Sequence, residues 1–195
     1  MDSHPEALKF YTVTNGPIFS TFIDGANRRS IATIAARSTN LGGLRTVAQA
    51  DIIIADDKLR PQAVELYNAI FRPKRELEFF KRRFLGRYNS LTLIARVDDR
   101  PVGFWVGFEL KPGMFYHWLG AVLPDFRRKG IGRQLQEAQQ AWAKDHGYEY
   151  VRCECMNHQR EFVHFAVTLG YDIVGIRWDS THADNLVVFE RNLIE

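Results

Sequence analysis

A loop rich in cations and glycines offers the clearest chemistry in this sequence. In DFRRKGIGRQL, residues 125–135, Gly130 and Gly132 follow a run of basic residues, and a long helical pattern begins at the same point. Glycine lets an anion approach the backbone closely. The first turn of a helix adds free N–H groups and a partial positive charge. The stretch therefore predicts an anion-binding site where a strand passes into a helix.

The spacing of the glycines narrows the choice of anion. A phosphate-binding P-loop needs four residues between its glycines and a Lys-Ser/Thr pair after them, and a dinucleotide fingerprint needs three glycines. This loop has the sequence RRKGIG over residues 127–132, which is the pattern R-x-x-G-x-G. Both nucleotide motifs are therefore excluded.

The same residues resemble a known family. WLGAVLPDFRRKGIGRQL (118–135) resembles motif A of the GNAT N-acyltransferase superfamily, and TLGYDIVGI (168–176) resembles the corner at which a helix of that family meets a strand. The resemblance covers about residues 50–195. It implies an acetyl-CoA-dependent N-acetyltransferase, which moves an acetyl group from the CoA thioester to a primary amine of a small molecule or protein. Transfer would be direct, in a ternary complex, and without a metal.

The resemblance also implies which residues hold acetyl-CoA. In the family, the loop amides bind the diphosphate. The strand before the loop carries a bulge and splays from the next parallel strand, so that the pantetheine arm pairs with it. The amide of Val122 would then polarise the thioester carbonyl. Asn157 resembles a family asparagine that binds the pantetheine, although a count without gaps would place Gln159 there. The cofactor-binding residues predicted in this way are Gly120, Ala121, Val122, Arg127, Arg128, Lys129, Gly130, Ile131, Gly132, Arg133 and Asn157.

Acyl transfer to an amine needs a proton acceptor, and the sequence offers three candidates. Glu154 lies sixteen residues before Gly170, the spacing at which some members of the family keep a base carboxylate. Other members keep a base glutamate at the position where this chain has Tyr116, so a glutamate base at that position is absent here. Its neighbour His117, which titrates near neutrality, is the second candidate. Glu109, at the end of the preceding strand, is the third. We take Glu154 and His117 as the predicted catalytic residues.

The general acid of the family cannot be assigned from the sequence. Many members carry a tyrosine four residues before the corner glycine, and this chain has Ala166 there. His164 and Tyr171 lie nearby in the sequence, and water could protonate the departing thiol directly. The missing tyrosine leaves a second class of protein open, a non-catalytic module that binds acyl-CoA as a sensor.

In the family, the first two helices shape the acceptor side, and that segment is basic here. FRPKRELEFFKRRFLGRY, residues 71–88, carries more Arg and Lys than Glu. One interpretation is a cationic rim that favours an acidic or carboxylate-bearing acceptor. The other is a solvated helix face whose phenylalanines enter the core. A net charge of +3 is too small to indicate a general nucleic-acid-binding protein.

Hydrophobic patterning predicts the elements that position these residues. Ile131, Leu135, Ala138 and Trp142 form one apolar stripe of a helix that ends at Gly147. The predicted order is β-α-α-β-β-β-α-β-α-β-β. This is an α/β fold with a mixed, mostly antiparallel sheet, one central crossover and flanking helices. The predicted strands are 51–55, 90–97, 101–110, 114–122 and 148–155, the predicted helices are 59–71, 74–85, 130–147 and 160–170, and a hairpin follows.

The composition is typical of one soluble domain. The chain has 195 residues, of which 46% are apolar and 25% charged. Residues 50–195 form the predicted domain. Residues 1–49 form an appendage, for which a flexible arm, an added strand and a transit peptide are the alternatives. No apolar run is long enough to span a membrane. Cys153 and Cys155 predict reduced thiols in a cytoplasmic protein. The sequence does not decide whether the protein is a monomer or a homodimer.

Overall fold

The computed structural model describes residues 10–11 and 47–194. Most of the predicted appendage, residues 1–49, lies outside the described residues, as does the choice between an arm and a transit peptide. The strands are β1 (Phe10–Tyr11), β2 (Asp51–Ile54), β3 (Leu91–Val97), β4 (Arg100–Lys111), β5 (Met114–Val122), β6 (Tyr150–Met156), β7 (Asp172–Asp179) and β8 (Asp184–Asn192). The helices are α1 (Arg60–Ile70), α2 (Leu77–Phe84), α3 (Ile131–Asp145) and α4 (Arg160–Thr168), with a 3₁₀ turn at Pro124–Phe126.

The described strands form one sheet in the order β1-β2-β3-β4-β5-β6-β8-β7. Neighbouring strands run antiparallel except β5 and β6, which are parallel. A parallel pair needs a crossover connection, and α3 provides it. The predicted order of elements from Asp51 onward and the predicted mixed, mostly antiparallel sheet are confirmed.

Helix α2 and strand β6 begin later than predicted because backbone groups find partners outside the regular element. Helix α2 begins at Leu77, not at residue 74. The side chain of Asn68 holds the preceding turn. Its oxygen accepts from the N–H of Arg75 at 2.7 Å, and its nitrogen donates to the carbonyl of Arg75 at 2.8 Å. Strand β6 begins at Tyr150, not at residue 148, because the N–H of Tyr148 donates back to Ala143 at 3.0 Å.

One face of the sheet is covered by α3 and α4. The predicted apolar stripe of α3 is buried there, with Leu135 and Ala138 fully inaccessible, and it packs in one cluster with Phe115 and Val151 of the sheet. Burying a leucine or phenylalanine side chain stabilises a fold by roughly 1.5–3 kcal/mol. This face is called the α3 face below. Packing of the apolar stripe holds α3 in place against the sheet.

The opposite face, called the α1–α2 face, is covered by the first two helices. Ala63 and Phe80 of these helices are buried with Phe104 and Val106 of β4, and Trp118 of β5 packs against the same cluster. Side chains alternate between the two faces along a strand. Neighbouring residues along β5 or β6 therefore point to opposite faces of the sheet, one toward α3 and the next toward α1 and α2.

The described residues contain no helix that is both long and apolar enough to cross a bilayer. Cys153 and Cys155 are free, buried and part of the α3-face cluster, as the sequence predicts. Burial raises the pKa of the Cys153 thiol, and it raises the pKa of Cys155 to about 11. Neither thiol is therefore an activated nucleophile at neutral pH.

Candidate active site

The central feature is a gap between the two parallel strands. Strands β5 and β6 pair from Met114 with Tyr150 to His117 with Cys153, and no further. The register of β5 against β4 shifts at the next residue, so Trp118 is the extra residue of a β-bulge. Beyond the bulge, residues 119–122 of β5 pair with β4 on one side only. This confirms the bulge and the splayed strand pair that the resemblance implies.

The backbone of β5 offers hydrogen-bonding groups to this gap. The N–H of Leu123 donates to the carbonyl of Val102 in β4 at 2.8 Å. Because successive N–H groups of a strand point in opposite directions, the N–H of Val122 points away from β4 and into the gap. The carbonyl of Val122 accepts the Nε–H of Arg127 at 3.0 Å. Arg127 therefore holds the basic loop against the end of β5.

Gly120 is required where β5 passes a tryptophan. A Cβ at Gly120 would lie 2.4 Å from Cε3 of Trp105 and 2.9 Å from the carbonyl oxygen of Phe104. The Trp105 ring has little freedom to move, since it is buried and its Nε1–H donates to Gln136 at 2.7 Å. The Trp105 ring thus packs directly on Gly120, in the strand segment that borders the gap.

The loop after β5 leaves the first turn of α3 open to an anion. Gly130 is the N-cap, with a left-handed φ of 83° and no side-chain cap. The first helical N–H with a partner is that of Gln134, which donates to Gly130 at 3.1 Å. Among the described residues, the N–H groups of Ile131, Gly132 and Arg133 have no acceptor. Three free amides at a helix start fit a diphosphate.

The side chains of the loop surround this helix start with positive charge. Arg128 and Lys129 are exposed, and the Lys129 ammonium lies 5.1 Å from the Phe126 ring centroid. Arg133 pairs with Glu137 at 3.3 Å. Arg127 differs from the others, because its Nε–H is committed to the strand. Arg127 thus holds the loop in place, whereas Arg128 and Lys129 face solvent.

The segment before β2 supports the loop, and no pattern in the sequence indicates this contact. The N–H of Ala48 donates to the carbonyl of Lys129 at 3.0 Å. The Gln134 side chain donates to the carbonyl of Ala48 at 2.7 Å and accepts from the N–H of Ala50 at 3.0 Å. A polar residue buried in the first turn of α3 therefore ties this segment to the loop.

Glu154 lies on the α1–α2 face of β6, between the two cysteines that face α3. Nε and Nη2 of Arg177 donate to its Oε2 at 3.0 and 2.7 Å, and Nε of Arg152 lies 3.6 Å from its Oε1. Its side chain is 11% exposed. Burial and, second, the charge of Glu154 raise the pKa of Tyr116 to about 12. Tyr116 is thus a neutral hydroxyl near this carboxylate, a neighbour that the sequence analysis missed.

His117 lies on the α3 face, at the last paired rung before the gap. Its ring is buried between Trp105, 4.9 Å away by centroids, and Phe162, 6.3 Å away. Burial lowers the pKa of His117 to about 3, against a smaller opposing effect of Gln139. A neutral imidazole with so low a pKa is a weak proton acceptor. Of the two predicted bases, His117 is therefore disfavoured, and Glu154 stays the candidate.

The burial of His117 makes the stability of the fold depend on pH. The unfolded chain protonates this histidine with a pKa of 6.5, whereas the folded chain resists protonation down to about pH 3. The unfolded state therefore binds more protons in that window, and stability falls as the pH falls through it. At pH 5 the loss is about 2 kcal/mol, at about 1.36 kcal/mol per pH unit.

Urea unfolding at pH 7 and pH 5 tests this dependence. We expect His117→Gln to lose about 2 kcal/mol of the acid-induced drop in the free energy of unfolding. The matched control is His164→Gln, which changes an exposed histidine of α4 and should keep the drop. An undiminished drop in His117→Gln would assign the acid sensitivity to other groups.

Asn157 lies beyond the end of β6. Its N–H donates to the carbonyl of Asn185 at 2.8 Å, and its side-chain oxygen accepts from Nη1 of Arg160 at 3.1 Å. The residue at the N-cap of α4 is Gln159, whose side chain accepts from the N–H of Met156 at 3.2 Å. Both polar residues therefore lie at the start of α4.

The α4 region supplies no tyrosine acid at the family position. Ala166 is buried, and the exposed His164 lies on the outer side of α4. The hydroxyl of Tyr171 is held by the side chains of Gln136 and Gln140. Burial also raises the pKa of Tyr171. In both bonds the hydroxyl oxygen accepts, and the raised pKa makes this buried hydroxyl a poor proton donor.

Glu109, the third candidate base, lies away from the gap. Its carboxylate accepts from the Tyr148 hydroxyl at 2.7 Å at the far end of β4, where β4 pairs with the start of β5. In the described part of the chain, no cluster of three or more His, Cys, Asp or Glu side chains could hold a metal ion.

Comparison with known proteins agrees with this geometry. The sequence model of the acetyltransferase (GNAT) family matches residues 60–171, which include the gap, the loop and α3. The chain therefore belongs to the GNAT acetyltransferase family. A search of curated protein sequences finds no significant match.

Solved structures share the fold at low sequence identity. Ard1 from Thermoplasma volcanium has a TM-score of 0.65 and 20% identity over 75% of this chain and 99% of its own. The ribosomal-protein-S18-alanine N-acetyltransferase from Escherichia coli has a TM-score of 0.64 and 16% identity over 74% and 94%. A GNAT family acetyltransferase from Elizabethkingia anophelis with acetyl-CoA bound has a TM-score of 0.62 and 16% identity over 73% and 97%.

Proposed function

We propose that this protein is an acetyl-CoA-dependent N-acetyltransferase that acts on a primary amine. The observation that carries the proposal is the gap beside residues 119–122, which opens directly next to three free amides at the start of α3. The amides of Ile131, Gly132 and Arg133 would hold the diphosphate of CoA. The backbone of β5 would pair with the pantetheine arm. The acetyl-CoA-bound structure from Elizabethkingia anophelis supports this use of the fold.

The reaction requires one bond to form and one to break. The amine nitrogen attacks the thioester carbon, and the carbonyl oxygen gains negative charge that the N–H of Val122 would stabilise. The C–S bond then breaks and the acetyl group remains on nitrogen. The nitrogen loses its second proton, a proton passes to the departing thiolate through water, and CoA leaves as the thiol. A protonated amine with a pKa near 10.4 must first lose a proton, which costs about 4.6 kcal/mol at pH 7. Glu154 would accept that proton.

The position of Glu154 supports its proposed role as the base, because it lies on the face of the sheet opposite the cofactor loop. It lies on the α1–α2 face, whereas α3 and the loop approach the gap from the other side. Cofactor and acceptor would therefore meet at the gap from opposite faces. Asn157 remains a proposed contact of the pantetheine, and His117 a proposed neighbour of the thioester. The free, buried thiols agree with the proposed cytoplasmic setting.

Calorimetry with acetyl-CoA and a CoA-release assay with a panel of amines test the proposal together. We expect Arg128→Glu combined with Lys129→Glu to weaken acetyl-CoA binding about tenfold or more, because charge-assisted contacts to phosphate are lost. Lys144→Glu, at the other end of α3, changes the same kind of charge and should bind normally. No heat of binding would contradict the proposal, and binding without turnover of any amine would indicate the sensor.

A further inference from the structure

Three arginines of the segment 71–88 lie over aromatic rings, and two of them, Arg83 and Arg87, are also exposed to solvent. The guanidinium carbon of Arg75 lies 4.7 Å from the Phe79 ring, and that of Arg87 lies 4.8 Å from the Phe108 ring. Arg83 lies 5.2 Å from the Trp118 ring and 5.6 Å from Phe108. These three residues, Arg75, Arg83 and Arg87, are called the arginine rim. Stacking on aromatic rings holds a guanidinium while leaving its N–H donors free.

The arginine rim borders the candidate active site through Trp118. Trp118 is the bulge residue that directly precedes the open segment of β5. Phe79 of α2 lies 5.8 Å from its ring, and Arg83 lies over it. Phe108, the second ring under Arg83, lies 5.6 Å from Tyr116. Arg83 is therefore placed on the α1–α2 face, beside the point where the acceptor would reach the gap.

The arginine rim makes no ion pair with a carboxylate of the described chain. None of the ion pairs formed within residues 47–194 involves an arginine of the rim. The nearby carboxylate of Glu154 is already matched by Arg177 and Arg152. Glu78 of α2 is paired with Lys81 at 2.8 Å. An approaching molecule thus meets ordered positive charge that has no counterpart among the described residues.

We propose that the acceptor is a small primary amine that also carries a carboxylate, and that Arg83 binds this carboxylate while the amine faces Glu154. The inference rests on the proposed acetyltransferase function. A planar guanidinium with free donors matches a carboxylate in two parallel hydrogen bonds. Arg83 is the member of the rim that overlies the bulge residue. Arg177, on the other side, has its Nε and one Nη committed to Glu154.

Matched pairs of acceptors separate this inference from the function on which it rests. The CoA-release assay would compare ω-amino acids of increasing chain length with alkylamines of the same length. We expect kcat/KM to be at least about tenfold higher for the best ω-amino acid than for its alkylamine, because one charge-assisted contact is gained. Arg83→Gln should remove most of this preference by raising KM for the ω-amino acid, with a small change in kcat.

Arg82→Gln is the matched control, since Arg82 is the exposed neighbour on α2 and makes no aromatic stacking contact among the described residues. It should leave the preference and the KM unchanged. Equal rates within each pair, or a preference that survives Arg83→Gln, would overturn the inference and leave the acetyltransferase function standing. Acetyl-CoA binding with no turnover of any member would overturn both.

Discussion

Replacing Glu154 with glutamine is expected to lower kcat for amine acetylation by about 10²–10⁴-fold. The amide keeps the size of the side chain and a hydrogen-bond acceptor for Arg177, but it cannot take a proton from the attacking amine. The affinity for acetyl-CoA should stay within about twofold, because Glu154 lies on the α1–α2 face and the diphosphate would bind at the start of α3. Steady-state kinetics and calorimetry measure the two quantities.

Glu190→Gln is the matched control for this experiment. Glu190 lies opposite Arg152 on the adjacent strand β8 and binds it at 3.2 Å, so it is a second arginine-paired carboxylate on the same sheet. If the loss of one negative charge explained the effect, both variants would lose activity alike. A rate near that of the wild type in Glu154→Gln would remove this residue as the base and favour a chain of water molecules.

The fold was predictable because its patterns are local. The apolar stripe of α3 and the alternating runs of the strands each determine one element, and the order of elements then restricts the sheet to few arrangements. The loop was predictable for a similar reason. Gly130 and the adjacent cations lie together in the sequence, and an open helix start needs no distant residue to form.

The side chains of the candidate site were less predictable because tertiary neighbours decide their roles. The ordinary pKa of histidine predicts a base at His117, and only the structure reveals that Trp105 and Phe162 enclose its ring. Arg127 stays a predicted phosphate ligand, and only the structure reveals that its Nε–H also binds the carbonyl of Val122. In contrast, the proximity of Tyr116 to Glu154 could have been found, since alternation places both on one face once β5 and β6 are taken as parallel neighbours.

Gly120→Ala is expected to damage both the stability of the fold and the affinity for acetyl-CoA. The added methyl group would lie 2.4 Å from the Trp105 ring, so either this ring or strand β5 must shift. Overpacking of this kind costs about 1–3 kcal/mol, which corresponds to a decrease in Tm of roughly 2–12 °C for a chain of this size. The strand segment that shifts is the one that would pair with the pantetheine arm, so acetyl-CoA should bind at least about fivefold more weakly.

Two other glycines separate a general loss of stability from an effect on the gap. A Cβ at Gly107 would lie 2.4 Å from Phe115, at the paired end of the same strands, so Gly107→Ala should lower Tm by a similar amount. It should nevertheless bind acetyl-CoA normally below its Tm, because the gap is not touched. A Cβ added at Gly175 of β7 would meet no atom within 4 Å, and Gly175→Ala should change neither quantity. If Gly107→Ala and Gly120→Ala lost affinity equally, the strand beside the gap would have no special part in binding the cofactor.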